Sequence, residues 1–281
     1  MGTCMYRVLV SILINKSTLN SFTMNIGSAR QVIILRGLSL EIDEPAGGSS
    51  WNRVLRPEDI LKDGTGVGQL WEGATNVLCD YLETHPAWLG GAGTVFELGA
   101  GIGVPGMLCA SLGASSVTLT DYHPLVLSRL QTNLQRNPHI TSRCTVEEVA
   151  WGSVGAAQHH QLLLGADLAV SERGAAQLAE TVLARIAPGG VFIYAHEERR
   201  AVMLEHGVVC TEPTDSGLGT LVGALWPLHC RELHSRASAD RGCLKLLAFG
   251  QAHAVAMLPS WCEAAAADGV KAGSPKRQRC T

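Results

Sequence analysis

The chain has 281 residues, of which 46% are hydrophobic and 17% charged, and its formal net charge is −3. That much apolar material excludes a disordered chain, and the slight negative balance gives no reason to expect nucleic acid or an anionic membrane as partner. Nine cysteines, scattered from Cys4 to Cys280, form no Cys-x-x-Cys or Cys/His pair of zinc-ligand spacing, and their odd number fits a disulfide framework poorly. No metal site is expected, and the thiols read as free ones in a reducing compartment.

Residues 1–30 are expected to be an N-terminal extension. Residues 1–40 hold Arg7, Lys16, Arg30 and Arg36 but no acid, and an apolar stretch runs from Tyr6 to Ile14. A targeting presequence has that composition, while an unstructured extension, or a start at Met24, is the plainer reading. No apolar run approaches the roughly 20 residues that span a bilayer.

Residues 31–43 predict two short strands around Gly37, from the alternation of Leu38, Leu40 and Ile42. Residues 44–68, rich in Gly, Pro and Ser, predict loop. Ala74, Val77, Leu78, Tyr81 and Leu82 keep helical spacing, which places a helix over 73–84 with one buried face. Thr94–Leu98 is a short apolar strand, followed by Gly99-Ala-Gly-Ile-Gly103 and a helix from about Val104 to Leu112. A second strand covers Ser116–Thr120 and ends on Asp121, and Leu127, Leu130 and Leu134 mark the next helix. Further strands are expected at 145–150, 162–164 and 191–195, with a helix through Leu178, Val182 and Ile186 before the last. Strands alternating with helices predict a parallel sheet with helices on both faces. Segments near 205–210, 222–230 and 243–249 are read as strands without comparable helices between them, forming an antiparallel C-terminal edge on that sheet.

The glycine turn has a physical purpose. Glycines let the backbone bend sharply and keep side chains from between peptide groups and a ligand, and the helix that follows begins with free N–H groups. Asp121, at the end of the next strand, can accept hydrogen bonds from both hydroxyls of a ribose. Gly101-Ile-Gly103-Val-Pro-Gly106 also matches the dinucleotide pattern GxGxxG, so the turn alone decides little. Glu97, two residues before the first glycine, favours a ligand with an ammonium group, such as a methionine moiety, over one with a pyrophosphate. Trp151, after the third strand, could stack on adenine, and Trp71, before the first long helix, could pack over the same ligand. Either tryptophan alone is more often core.

On these residues the chain resembles the seven-strand protein methyltransferases of the family 16 lysine methyltransferase group. The resemblance covers about residues 31–250 and rests on Trp71-Glu-Gly-Ala-Thr-Asn-Val-Leu, Phe96-Glu-Leu-Gly-Ala-Gly-Ile-Gly-Val-Pro-Gly106, Thr120-Asp121, Val149-Ala-Trp-Gly152 and Leu164-Gly-Ala-Asp167. It implies a Rossmann-like, seven-stranded, mostly parallel sheet with S-adenosylmethionine as cofactor. Carried over residue by residue, Trp71, Glu97, Gly99, Ala100, Gly101, Asp121, Trp151 and Ala166 line the cofactor pocket. Asp167 takes the first position of the family's Asp-x-x-Tyr motif, where the acceptor amine enters. The Tyr of that motif is Val170 here, and the acid that usually begins the fourth strand is Gln161.

The resemblance implies a protein-lysine N-methyltransferase with a protein substrate, expected as a monomer in the cytoplasm, with nucleus or mitochondrion as alternatives. A small-molecule or histidine methyltransferase, and a silent cofactor-binding module, stay open because the acceptor motif is altered. Tyr194, at the end of the fifth strand, could supply the missing hydroxyl, although a core tyrosine is the plainer reading. His196-Glu-Glu-Arg-Arg200 is expected as a charge-rich turn, either touching the acceptor or starting a solvated helix. His159, His160 and His229 are read as surface or core residues. Residues 251–281 form a tail with a basic cluster at Pro275–Arg279, read as a nuclear signal or as a solvated end.

Overall fold

A computed structural model describes residues 23–25, 30–43, 72–91, 93–153, 158–198, 200–205, 208–213, 216–238, 242–259 and 261. The first elements are three strands, β1 (Thr23–Asn25), β2 (Arg30–Leu35) and β3 (Leu38–Asp43), paired antiparallel in a small sheet of their own. The turn between β2 and β3 is made by Arg36 and Gly37, both at positive φ. Arg36, whose side chain is 5% exposed, lies on α1 (Glu72–Thr84), where it pairs with Asp80 and Glu83.

A short helix α2 (Pro86–Gly91) leads into β4 (Thr94–Glu97), followed by α3 (Val104–Ser111) and β5 (Ser116–Asp121). Then come α4 (Pro124–Arg136), α5 (Pro138–Thr141), β6 (Cys144–Glu148), β7 (His160–Ala166), α6 (Glu172–Arg185) and β8 (Ile186–Glu197). Strands β6, β5, β4, β7 and β8 lie side by side, every neighbouring pair parallel. The last elements are β9 (Arg200–Glu205), β10 (Val208–Pro213), α7 (Ser216–Ala224), β11 (His229–Ser238), β12 (Gly242–Gly250) and α8 (Ala252–Ala256). β12 joins β8 antiparallel and β11 joins β12 antiparallel, so the seven strands run in the order β11-β12-β8-β7-β4-β5-β6. This is the expected mostly parallel sheet with an antiparallel edge.

The strand alternation sorts the core into two layers, because successive side chains point to opposite faces. Val95, Leu119, Leu164 and Ile193 face one side, with Leu78 from α1, Met107 from α3 and Leu130 from α4. Phe96, Leu163, Phe192 and Phe249 face the other, with Leu178 and Val182 from α6 and Leu221 from α7. The N-terminal meander is tied to the first layer by Leu38 and Leu40, which are fully buried, and by Asn137, whose side-chain amide bonds both the N–H and the carbonyl of Ser39 at 2.9 and 2.8 Å.

Three expectations need correction. The segment near 222–230 is no strand: residues 216–224 form α7, and β11 begins at His229. Leu218, Leu221 and Leu225 keep a helical spacing and pack in the second layer, but Gly217, Gly219 and Gly223 mask the helix because glycine is a poor helix former. Gly217 is needed for contact, since a Cβ there would lie 2.0 Å from the carbonyl oxygen of Ala169. The strand expected near 205–210 belongs to the β9–β10 hairpin, a separate two-stranded sheet and no part of the edge. The charge-rich turn at 196–200 is also displaced: β8 continues through Glu197, and His196 is fully buried within it.

Among the described residues no helix is long and apolar enough to cross a membrane. Residues 1–22, the expected loop at 44–68 and the basic tail lie outside the described residues.

Candidate functional site

Strand order reverses at the centre of the sheet: from β4 the chain goes first to β5 and β6 on one side, then to β7 and β8 on the other. Open parallel sheets place a crevice at the carboxyl ends of the strands beside such a switch. The glycine turn sits there. Gly99, Gly101 and Gly103 have φ of 54, 55 and 83°, the left-handed region that residues with a Cβ enter at a cost.

The turn is held from three directions. Ala100, 7% exposed, donates its N–H to the carbonyl of Thr120 at 2.7 Å. Asn133, fully buried on α4, donates its side-chain amide to the carbonyl of Ile102 at 3.1 Å. The N–H of Gly101 points at Asp121 Oδ2, 3.4 Å away, and Oδ1 of the same carboxylate accepts from the N–H of His123 at 3.0 Å. Partial burial pushes the Asp121 carboxyl above its usual range, opposed by those amides and that of Tyr122. Among the described residues no atom beyond the chain neighbours lies within 4 Å of where a Cβ on Gly101 would stand, so they leave this part of the turn uncovered.

Glu97 ends β4 on the face of α3. It is 3% exposed, and its Oε2 accepts the N–H of Gly106 at 2.9 Å in the first turn of that helix. Burial raises its pKa to about 8; the Gly106 bond works against this, and the nearby Asp121 carboxylate adds to it. Its hydrogen bond to Gly106 joins strand to helix beneath the turn, rather than leaving the carboxylate on an open surface.

Trp151, half-buried after β6, lies beside Gly99, its ring carbon Cζ2 3.2 Å from that residue's Cβ position. A leucine from the other side shares this place, with Leu168 Cδ2 2.6 Å from the same point. Ala166 is the half-buried last residue of β7, opposite Ala195 of β8. Asp167 follows at φ 57°, its N–H still bonded to the carbonyl of Ala195 at 2.8 Å. Its side chain is 2% exposed and lies 3.9 Å from Nδ1 of His196. Val170, by contrast, is 45% exposed.

The structure therefore gathers Glu97, Gly99, Ala100, Gly101, Asp121, Trp151, Ala166 and Asp167 at one edge of the sheet. Trp71 lies outside the described residues. Three participants were not singled out by the sequence reading: Asn133, Leu168 and, as a buried partner of Asp167, His196. For His196 a signal existed, since Phe192, Tyr194 and His196 alternate along one strand face. For Leu168 there was none, because its role depends on an irregular turn.

The arrangement suits a ligand with a ribose and an aromatic base. It offers a carboxylate beside a free-sided glycine turn, an indole next to it and apolar walls from Leu168 and Ala166.

A family model described as "Lysine methyltransferase" matches residues 52–206. Mouse (Mus musculus) "EEF1A lysine methyltransferase 3" is 35% identical over 146 residues, covering 50% of this chain and 58% of that protein. Mouse "Protein N-lysine methyltransferase METTL21A" is 38% identical over 121 residues, covering 40% of this chain and 52% of that protein. The chain thus spans little more than half the length of these relatives. A solved S-adenosylmethionine-dependent methyltransferase from Mesorhizobium loti superposes with a TM-score of 0.46 at 18% identity, covering 62% of this chain and 99% of that one. Since the family match takes in more than half of the 281 residues, the chain belongs to the lysine methyltransferase family.

Proposed function

We propose that this protein transfers a methyl group from S-adenosylmethionine to the side-chain amine of a lysine in another protein. The observation that carries the reading is the open glycine turn at the switch point, flanked by Asp121 and Trp151, in a chain of this family. When bound, the cofactor supplies a sulfonium-activated methyl with a neutral thioether as leaving group.

The chain's own residues do the rest. Asp121 accepts hydrogen bonds from the two ribose hydroxyls, the backbone at Gly101 meets the ligand without a side chain between, and Trp151 provides aromatic surface, to which the resemblance adds Trp71. Glu97 holds the start of α3 against the turn. Its carboxyl keeps a proton at neutral pH in this dry setting, and an ammonium nearby draws that pKa down again. Gly99 lets Leu168 and Trp151 lie close to the backbone, and Ala100 and Ala166 each add only a methyl group.

On the acceptor side, a free lysine has a pKa near ~10.4, so the site must take the deprotonated minority or lower that value. Asp167 orients the amine and stabilises the positive charge that grows on nitrogen during transfer. It also raises the amine's pKa, so its benefit depends on a site with little water. Val170 offers neither hydroxyl nor aromatic wall, which leaves the entrance wider than the Asp-x-x-Tyr pattern implies. A partner protein reaching the carboxyl ends of the strands is the acceptor this reading favours.

Incubation with methyl-labelled S-adenosylmethionine and a cell extract tests the proposal. Label on a lysine of an extract protein, located by mass spectrometry, is the expected result. Label confined to histidine or to a small molecule would overturn the choice of acceptor. Bound cofactor with no label anywhere would mean a binding module.

A further inference from the structure

Two polar side chains stand where the sheet has no use for them as core. Tyr194 and His196 project from the same face of β8, an inner strand, and both are fully buried. Beneath them Phe192 continues the row, its ring 5.7 Å from that of Tyr194. The phenol oxygen of Tyr194 accepts two successive backbone N–H groups, from Leu168 at 3.0 Å and from Ala169 at 2.8 Å. These amides follow Asp167, whose left-handed backbone takes the chain away from β7.

A hydroxyl oxygen has two lone pairs. With both turned to the amides, the phenol proton is left to donate, and Nδ1 of His196 lies 3.1 Å away as its acceptor. The same Nδ1 lies 3.9 Å from Oδ1 of Asp167. On the other side, Leu168 packs onto Gly99 of the glycine turn. One phenol thus holds two consecutive residues, Leu168 against the cofactor side and Ala169 against Gly217 of α7, directly after Asp167 on the acceptor side.

We propose that Tyr194, itself seated by His196, is a positioning residue for methyl transfer: it fixes the backbone after β7 so that Asp167 and Leu168 keep their places relative to the glycine turn. Tyr194 does not stand in for the tyrosine that Val170 replaces. It acts from inside the sheet, on the backbone, and does not touch the acceptor.

The catalytic half of this inference rests on the methyl-transfer reading; the anchoring half does not. The test is therefore amide hydrogen exchange together with steady-state kinetics on the full chain. In Tyr194→Phe, the amides of Leu168 and Ala169 should exchange at least about 10-fold faster, while those of Leu163 and Phe192, deeper in the same strands, keep their protection. Turnover should fall about 10-fold or more, with the dissociation constant for S-adenosylmethionine within about 3-fold of wild type. His196→Asn keeps an acceptor oxygen near the position of Nδ1 and should hold turnover within about 3-fold, whereas His196→Leu should behave like the phenylalanine variant. If Tyr194→Phe does not fold, His196→Leu carries both measurements. Unchanged exchange at Leu168 and Ala169 would overturn the proposal, and so would equal acceleration at Leu163 and Phe192, which marks a merely structural tyrosine. A wild type that transfers no methyl would end the methyl-transfer reading and with it the catalytic half, while exchange still decides the anchoring.

Discussion

Glu97 shows how far a single residue can be read before its surroundings are known. Its place before the first glycine was legible, and so was the need for a carboxylate near the turn. Its hydrogen bond to Gly106, and the burial that follows, were not, because they depend on how α3 lies against β4. The consequence is a pH dependence. With the folded pKa raised from 4.5 to about 8, the unfolded chain gives up this proton first as pH rises. The stability tied to protonated Glu97 is therefore complete below about pH 4.5 and is lost as pH climbs through 8. Glu97→Gln keeps an acceptor oxygen for Gly106 but cannot ionise. Without cofactor, its stability advantage over wild type should grow between pH 5 and 8, reaching on the order of a few kcal/mol. Denaturant melts at both pH values would show it, and a difference that stays flat would mean that Glu97 ionises as freely as a surface carboxylate.

At the scale of elements, the unit β4–turn–α3 was the most legible part of the chain. An apolar strand, three glycines and a short helix leave few other arrangements. The least legible were α7, whose three glycines hide a helical spacing, and the end of β8, where His196, Glu197 and Glu198 look like solvated charge. In both, packing overrides local preference: Leu221 and Leu225 are fully buried in the second layer, and His196 lies under the turn that Tyr194 holds. Two glycines of the turn and its helix should then respond differently to the same change. A Cβ on Gly106 would lie 2.3 Å from Leu119 Cδ2 and 2.5 Å from Glu97 Oε2, both in close-packed surroundings. Gly106→Ala should cost about 1–3 kcal/mol of stability, as other overpacked cores do. At Gly101 the Cβ meets none of the described residues, so Gly101→Ala should cost only the roughly 1–2 kcal/mol of a left-handed backbone while abolishing cofactor binding. Melts and titrations of the pair distinguish a packing glycine from one that faces a ligand; equal binding by Gly101→Ala and wild type would contradict the second role.

For the whole molecule, the strand order carries the function more than any one motif does. The parallel run β6-β5-β4-β7-β8 followed from alternating strands and helices. The exchange of order that puts β12 between β8 and β11 did not, since sequence periodicity does not encode which strand lies next to which. That topology brings residues from four strand ends, some 70 positions apart in the chain, to one crevice: the turn after β4, Asp121, Trp151 and the segment after β7. It also explains why the acceptor is less legible than the cofactor. The cofactor side is built from strand ends and a regular helix start, whereas the proposed acceptor side, at Asp167 and Val170, lies on an irregular turn after β7 that local patterns do not set.

The central claim, that this crevice holds S-adenosylmethionine through Asp121, is tested most directly by titration calorimetry on the full chain. S-adenosylmethionine and its demethylated product should both bind with micromolar dissociation constants, NAD should give no heat, and Asp121→Ala should weaken both ligands by about one to two orders of magnitude, the worth of a charge-assisted hydrogen bond in a partly buried site. Binding of NAD without S-adenosylmethionine, or an alanine variant that binds as well as wild type, would contradict it.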